Sequence, residues 1–328
     1  MSLRAAALDD PLALRLADAD LLSLALIDAR NLTLRWLAVF EHRGLDGEPT
    51  DGRPSPRWLA GHAGWYQDHW IGRHVQRGRG PQAEASSARL ASAEPMADLW
   101  FAGAAAQPPS ADAVRDYLGL TLDTTLELLA ALPATADDQA LHFYRTALVH
   151  EDRLAEALAE RAARLQLAAE PDPPPPWRPL AGRPDREPLW LPEQRVALGA
   201  GGRGWHSDIE GPAQPAEAVP AFEIDAQPVS WARFIEFAED GGYDRPDLWT
   251  PAGWAWVQGQ GRRAPRDVEQ LRGAVLLQRH GQLQRAPLNQ PVLHCTRHEA
   301  EAWCRWAGRR LPTEPEWELA ATTGRNRG

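Results

Sequence analysis

The sequence predicts a two-domain protein of mixed class, a four-helix bundle followed by an irregular α+β domain. Three observations carry that expectation. Four stretches before residue 170 repeat apolar residues at helical spacing. A run from Pro171 to Pro192 then holds nine prolines in 22 residues, which suits neither helix nor strand and reads as a semi-rigid connector. Beyond it, short apolar runs alternate with Gly, Pro and Asp, the texture of short strands and turns. The expected boundaries are 1–170 for the bundle, 171–192 for the connector and 193–328 for the second domain. A length of 328 residues with 44% apolar and 24% charged residues suits a globular chain with two cores.

The first helix is expected from Ala17 to about His42, carrying Leu21, Leu24, Ile27, Leu34, Leu37 and Val39, with Asp18 or Asp20 as its cap. Gly44 to Pro56 is a turn-rich connection. The second helix runs from Trp58 to Gln76 and sets Trp58, His62, Trp65, Tyr66 and His69 on one face. The basic run from Arg73 to Arg79 reads as its solvated end. Arg77 to Gln107 has little period and is expected to be an irregular excursion. A third helix spans Ser110 to Leu132, capped by Ser110 or Asp112 and ended by Pro133, with a stripe from Val114 through Tyr117, Leu118 and Thr125 to Leu129. The fourth, Leu141 to Leu158 and fading near Leu167, has no Gly or Pro. Phe143, Ala147, His150, Leu154 and Ala157 share one side of it, apolar except for His150. Two inward imidazoles, His62 and His150, from two helices of one bundle are raw material for a metal site; a hydrogen-bonded core histidine is the plainer reading of each.

In the second domain, Arg195 to Leu198 and Ala221 to Ile224 read as strands, and Val229 to Glu239 as a short amphipathic helix. Ala264 to Leu288 reads as irregular structure with one hairpin, Val275 to Gln284, and Arg297 to Arg309 as a helix stopped near Gly308. The formal net charge of −10 argues against a nucleic-acid partner. No apolar run approaches bilayer length, and the N-terminus, alternating Leu with Arg and Asp, shows no signal peptide, so neither a membrane partner nor export is expected. The two cysteines, Cys295 and Cys304, form neither a disulfide framework nor a zinc spacing, and the cytoplasm is the expected compartment. Fifteen tryptophans point to aromatic-lined pockets or an aromatic core.

Three blocks carry a family resemblance: Val229-Ser-Trp-Ala-Arg-Phe-Ile-Glu-Phe237, Gly241-Gly-Tyr-Asp-Arg-Pro-Asp-Leu-Trp249, and Pro291 to Glu318 with its His298-Glu-Ala-Glu-Ala-Trp-Cys-Arg-Trp-Ala-Gly-Arg-Arg-Leu-Pro-Thr-Glu core. They resemble the formylglycine-generating-enzyme (sulfatase-modifying-factor) fold. That fold behind a DinB-like bundle is similar to the non-haem iron synthases of ergothioneine and selenoneine biosynthesis. The bundle segments that match are Gly61-His-Ala-Gly-Trp-Tyr-Gln-Asp-His-Trp70 and His150-Glu-Asp-Arg-Leu-Ala-Glu156.

The resemblance implies an Fe(II) cofactor with ligands at His62, His150 and position 154, which is Leu154 here. It implies O2-dependent joining of a selenosugar or a cysteine-type thiol to the imidazole of hercynine, with the wording of both bundle segments closer to the selenoneine branch. Trp65 and Tyr66 are then candidates to wall the pocket of a quaternary ammonium by cation–π contact, and Arg89 a candidate clamp for a substrate carboxylate. Asp152 and Glu156 are candidates to orient a ligand through its second nitrogen. The resemblance also implies that the second domain holds the N-terminal part of its fold, and it places no catalytic tyrosine in this sequence. Two other readings stay open: a catalytically silent protein that binds hercynine or another betaine, and a DinB-type metal-dependent thiol transferase.

Overall fold

The structure, a computed structural model, describes residues 8, 10–49, 52–103, 108–167, 186–199, 205–207, 210, 211 and 214–325. It divides into two compact units, Met1–Pro173 with Gly202–Gly211, and Pro174–Gly201 with Pro212–Gly328.

In the first unit a short helix α1 (Pro11–Arg15) precedes four longer ones: α2 (Ala19–Glu41), α3 (Pro56–Gln67), α5 (Ala111–Ala130) and α6 (Asp138–Arg164), with α4 (Ala97–Phe101) on the excursion between α3 and α5. Each long helix starts where a side-chain oxygen accepts from an orphan N–H. Asp18 caps α2, Ser55 α3, Ser110 α5 and Asp137 α6. The second helix is shorter than its sequence pattern implies. It passes into a π-helical turn, Asp68–Gly72, in which the Arg73 amide donates to the Asp68 carbonyl at 2.8 Å, and the chain then leaves the helix axis. Arg73 to Arg79 is therefore not a solvated helix end: Arg73 turns back to Asp98 and to the Leu90 carbonyl.

The bundle core is built from Leu22, Leu26, Leu37, Phe40, Leu118, Tyr144, Leu148 and Leu158. Two glycines let the chain approach α3 closely. A Cβ on Gly61 would sit 2.2 Å from the Phe101 ring, and one on Gly64 would sit 3.0 Å from Leu118 and Thr121. At the centre of the bundle Arg30 and Glu151, both buried, pair through Nε–Oε1 at 2.7 Å and Nη2–Oε2 at 3.1 Å. Arg30 Nη1 donates to the Leu118 carbonyl, Gln67 donates to Glu151 at 3.1 Å, and Thr125 donates to Gln67 at 3.3 Å. Every charge in that layer has a partner.

In the second unit β1 (Leu189–Leu191) pairs antiparallel with β4 (Phe222–Ile224), and β2 (Gln194–Val196) with β3 (Glu217–Val219). The expected connector therefore stops short of residue 192, because Leu189–Leu191 belongs to a ladder; residues 171–185 of it lie outside the described residues. Helix α7 (Trp231–Glu239) follows, then two 3₁₀ turns and α8 (Pro251–Gln260), an element not expected from the sequence. The stretch read as mostly irregular is a three-stranded antiparallel meander, β5 (Val268–Arg272), β6 (Ala274–Arg279) and β7 (Gln282–Ala286). Helices α9 (Arg297–Trp306) and α10 (Glu314–Arg325) complete the unit, α9 with a capping box between Thr296 and Glu299.

The core of this unit is aromatic: Trp231, Phe234, Phe237, Tyr243, Trp249 and Trp303. Gly242 has to be glycine, since a Cβ there would lie 2.1 Å from the Phe237 ring. The Tyr243 hydroxyl donates to Glu299 at 2.6 Å. Cys304 is buried and Cys295 half-buried, as small residues beside that core. Among the described residues no helix is long and apolar enough to cross a membrane.

Candidate metal and substrate site

One face of α3 and its π turn carries residues 58, 62, 65 and 69, spaced four, three and four apart, so their side chains rise as a column. The rings stack in that order. Trp58–His62 centroids are 4.4 Å apart, His62–Trp65 5.1 Å and Trp65–His69 4.8 Å, with interplanar angles of 15°, 13° and 23°. The excursion read as irregular fixes the column by its edges. The Gly103 carbonyl accepts from Trp58 Nε1 at 3.1 Å, and the Phe101 carbonyl lies 3.0 Å from His62 Nδ1. Asp98 accepts from Trp65 Nε1 at 2.8 Å. Asp98 also takes Arg73 at 2.9 Å, a bond that, against the opposing effect of burial, holds its carboxyl below the usual range.

Helix α6 brings His150 to the same column. Its ring meets His62 edge-on at 5.2 Å between centroids and lies on Tyr66 at 4.0 Å. Burial lowers the pKa of both histidines; His62 and Arg153 add to it at His150, pushing that ring down to about 4. Both imidazoles are therefore neutral near pH 7 and able to offer a lone pair. With Nδ1 of His62 donating to the Phe101 carbonyl, its Nε2 is the free nitrogen, the outer-shell arrangement of a metal-bound histidine. Among the described residues His150 Nε2 is buried without a hydrogen-bond partner.

These two rings suit a metal ion. One ion about 2.1 Å from a nitrogen of each would set the centroids roughly 5 Å apart, close to the observed 5.2 Å. The third position of the pattern is filled by Leu154, 8% exposed one turn after His150 and without a donor atom. Among the described residues no third His, Cys, Asp or Glu joins the two histidines. The donor set fits an ion held by two nitrogens and falls one short of a three-nitrogen face.

The other expected site residues divide. Trp65 and Tyr66 line the site, stacked on His62 and His150. Asp152 and Glu156 are exposed on α6 and, among the described residues, bond to neither imidazole; the group that meets His62 is the Phe101 carbonyl. The reason is helical geometry: two and six residues from His150, they point about 200° and 240° away from it. The residue between them and the site, Glu151, belongs to the Arg30 layer.

Arg89 is not a solvated surface arginine. Its Nη1 lies 3.1 Å from His74 Nδ1 and from the Ser87 carbonyl and hydroxyl; its Nη2 lies 3.3 Å from His69 Nε2 and 3.2 Å from the Ala85 carbonyl. Its guanidinium carbon sits 5.0 Å over the Trp70 ring. His74, fully buried, and the edge-fixing role of residues 98–103 escaped the sequence reading. The Gly61-His62-Ala63-Gly64 spacing was the available signal, since two glycines on one helix mark a close approach of another chain segment.

The described residues of the second unit form a cleft of about 710 Å³ lined by Phe222, Asp225, Trp303, Arg309, Glu316 and Trp317. Four of its charged groups are spent on each other, Arg309 on Asp225 at 2.7 Å and Arg310 on Glu316 at 2.6 Å. In the bundle site, by contrast, His150 Nε2 and Arg89 Nε have no hydrogen-bond partner among the described residues.

Comparison with known proteins agrees with this division. Residues 25–183 match the DinB superfamily, and residues 183–328 match the sulfatase-modifying factor enzyme 1-like domain. The class is a DinB-like helical domain followed by an α+β domain of the formylglycine-generating-enzyme type. Within it, the chain is 32% identical over 323 residues to the hercynine oxygenase of Mycolicibacterium thermoresistibile, which covers 92% of this chain and 67% of that protein. The chain belongs to that family. It is also 44% identical over 115 residues to the hercynine oxygenase of Mycolicibacterium smegmatis, 34% of this chain and 26% of the relative. To the formylglycine-generating enzyme of Streptomyces coelicolor it is 36% identical over 183 residues, 51% of this chain and 55% of the relative. The matched stretches thus span from about a quarter to two-thirds of these relatives' lengths.

Proposed function

We propose that this protein acts on hercynine as an O2-dependent non-haem iron synthase, forming a C–Se or C–S bond at the imidazole carbon, with the selenium donor favoured. The observation that carries the reading is the His62–His150 pair, neutral, 5.2 Å apart and each with a nitrogen to spare. Membership of a family that contains hercynine oxygenases supports the substrate. Iron(II) bound by His62 and His150 would supply O2 activation and a binding position for the soft chalcogen.

The chain's own groups supply the rest. Trp65, held between His62 and His69, and Tyr66, stacked on His150, wall the site with aromatic rings beside which a trimethylammonium is favoured. Arg89, at the far end of the ring column, supplies the positive charge that would draw a substrate carboxylate. The Phe101 carbonyl keeps a proton on His62 Nδ1, and so keeps Nε2 a donor of electrons.

A second reading is favoured by Leu154: a protein that binds the betaine and performs no chemistry. One experiment separates the two. Iron is titrated anaerobically into the protein and into Leu154→His, and each is then incubated with hercynine, O2 and either a selenosugar or cysteine. The synthase reading expects hercynine consumption by the protein. It also expects iron affinity in Leu154→His to rise by at least the roughly ten- to hundredfold that even an outer-shell partner is worth. Hercynine binding with no consumption in either protein would establish the silent binder, and no iron uptake by either would remove the iron assignment.

A further inference from the structure

Three indoles lie against the histidines of the site, each in a different electrostatic setting. Trp58, 8% exposed, stacks on His62 and donates from Nε1 to a neutral acceptor, the Gly103 carbonyl. Trp70 lies under a cation, with the Arg89 guanidinium carbon 5.0 Å from its ring centroid. Trp65, held between His62 and His69, donates from Nε1 to a carboxylate, Asp98, at 2.8 Å. The setting decides how readily each ring gives up an electron. A ring that loses one becomes a cation, which a guanidinium repels and a carboxylate attracts. It also becomes an acid at Nε1, and of the three Trp65 is the one whose Nε1 meets a base. Arg73 offsets part of the Asp98 charge but leaves that hydrogen bond in place. The Asp98 side chain is 53% exposed, so a proton it receives can pass on to water.

We propose that Trp65 is the redox-active side chain of the bundle: it gives one electron to an oxygen-derived oxidant formed between His62 and His150, and its Nε1 proton leaves through Asp98. The source of the oxidant rests on the metal reading above; the ranking of the three indoles does not. With peroxide as co-reactant the balance closes on one electron and one proton from the protein. Peroxide is split at a reduced ion into hydroxide and a one-electron oxidant, and the ion loses one electron. The oxidant takes a second electron from the Trp65 indole and becomes hydroxide, while the indole N–H proton passes to Asp98 and water. A neutral indolyl radical remains. A small thiol returns a hydrogen atom to its nitrogen, and two of the resulting sulfur radicals couple to a disulfide. The donor set is what this spares. The two imidazoles are the groups that such an oxidant meets first, and the indole stacked 5.1 Å from His62 draws the oxidation away from them.

The test uses the full chain with no hercynine present. One sample is loaded with Fe(II) and a parallel one with Cu(I), an ion that imidazole also suits, and each is mixed with peroxide. Electron paramagnetic resonance on freeze-quenched samples and mass mapping of peptides then locate the oxidation. The expected result is a tryptophan radical with the same spectrum in H2O and D2O, as an indole without its Nε1 proton requires. Stable modification is expected at Trp65, with His62 and His150 largely spared, and cysteine added during the reaction should suppress it. Trp65→Phe should lose the radical and shift oxidation onto the two imidazoles. Asp98→Asn keeps an acceptor for Nε1 and removes the base, so its radical should become sensitive to D2O or disappear.

Oxidation that falls on Trp58, Trp70 or Tyr66 ahead of Trp65 overturns the proposal, as does an unchanged distribution in Trp65→Phe. If that variant takes up no ion, Asp98→Asn decides, and a spectrum identical to that of the unaltered protein overturns the proton route and the proposal with it. Uptake of copper without iron ends the iron synthase reading and leaves the copper sample to decide this one. Uptake of neither ion ends both.

Discussion

Two polar layers of the same helical bundle are built on opposite rules. In the layer of Arg30, Glu151, Gln67 and Thr125, two full charges are buried and both are satisfied by paired donors and acceptors. In the adjoining face of His62, His69, His74, His150 and Arg89, four buried nitrogens have no partner among the described residues: His69 Nδ1, His74 Nε2, His150 Nε2 and Arg89 Nε. The first layer is closed and has nothing left to offer a ligand. The second is open, and folding alone gives no reason to keep it so. Completeness of hydrogen bonding, more than residue type, separates these two layers. His150 and Glu151 are sequence neighbours and fall on opposite sides of that line.

The largest consequence concerns the closed layer. Glu151→Ala would leave Arg30, 2% exposed, without its carboxylate. It should cost about 3–5 kcal/mol, because the guanidinium cannot reach water. Arg89→Gln, in the open face, should be close to neutral or slightly stabilising, since it removes an uncompensated charge. Urea unfolding midpoints of the two variants would measure the difference. Equal losses would mean that the two layers are not distinct in kind.

A smaller effect is expected where the open face is fixed in place. Gly61→Ala gains about 1 kcal/mol of helix propensity, but its methyl would stand 2.2 Å from the Phe101 ring. Overpacking of that kind costs about 1–3 kcal/mol, and it should push the Phe101 carbonyl away from His62 Nδ1. The expected result is modest destabilisation with a clear loss of metal affinity, read by unfolding and by metal titration on the same sample. Unaltered metal affinity would show that the Phe101 carbonyl does not set the imidazole.

Much of the closed architecture was legible in the sequence, and little of what fixes the site was. The four helices announce themselves by period and cap, and His62 and His150 by standing on otherwise apolar faces. The resemblance of the second domain to the formylglycine-generating-enzyme fold was carried by Gly241-Gly-Tyr and by the α9 block; the first needs glycine against Phe237, the second closes a capping box. Residues 73–103 carry no period, because their work is done by backbone carbonyls and by single long-range bonds such as Asp98 to Trp65. Such contacts leave no repeat along the chain. Asp152 and Glu156 differ for the opposite reason: their motif position suggested a partner for a ligand's second nitrogen, while the helix turns them to solvent. The β5–β7 meander was under-read because β5, Val-Glu-Gln-Leu-Arg, lacks the alternation of a half-buried strand and has a register shift between Val268 and Gln270.

The smallest effect expected is a pH dependence that belongs to the open face alone. Unfolded, His69 takes up a proton near its ordinary value of 6.5; folded, burial and the charges of Arg89 and Arg73 hold it to about 4. Between those values the unfolded chain binds more protons than the native one, so His69 makes the protein lose stability as pH falls from 6.5 towards 4. Each pKa unit is about 1.4 kcal/mol, and allowing for screening of a half-exposed ring the loss should be about 1–2 kcal/mol. Asp68, raised by burial, works in the opposite direction over part of the same range, so the comparison to make is between the protein and His69→Gln. The difference in their unfolding free energies should be flat above pH 7 and change through the interval in favour of the variant. A difference that stays constant down to pH 4 would mean that His69 is as free to charge in the folded protein as in the unfolded chain, and the open face would then hold no neutral acceptor for Arg89 on that side.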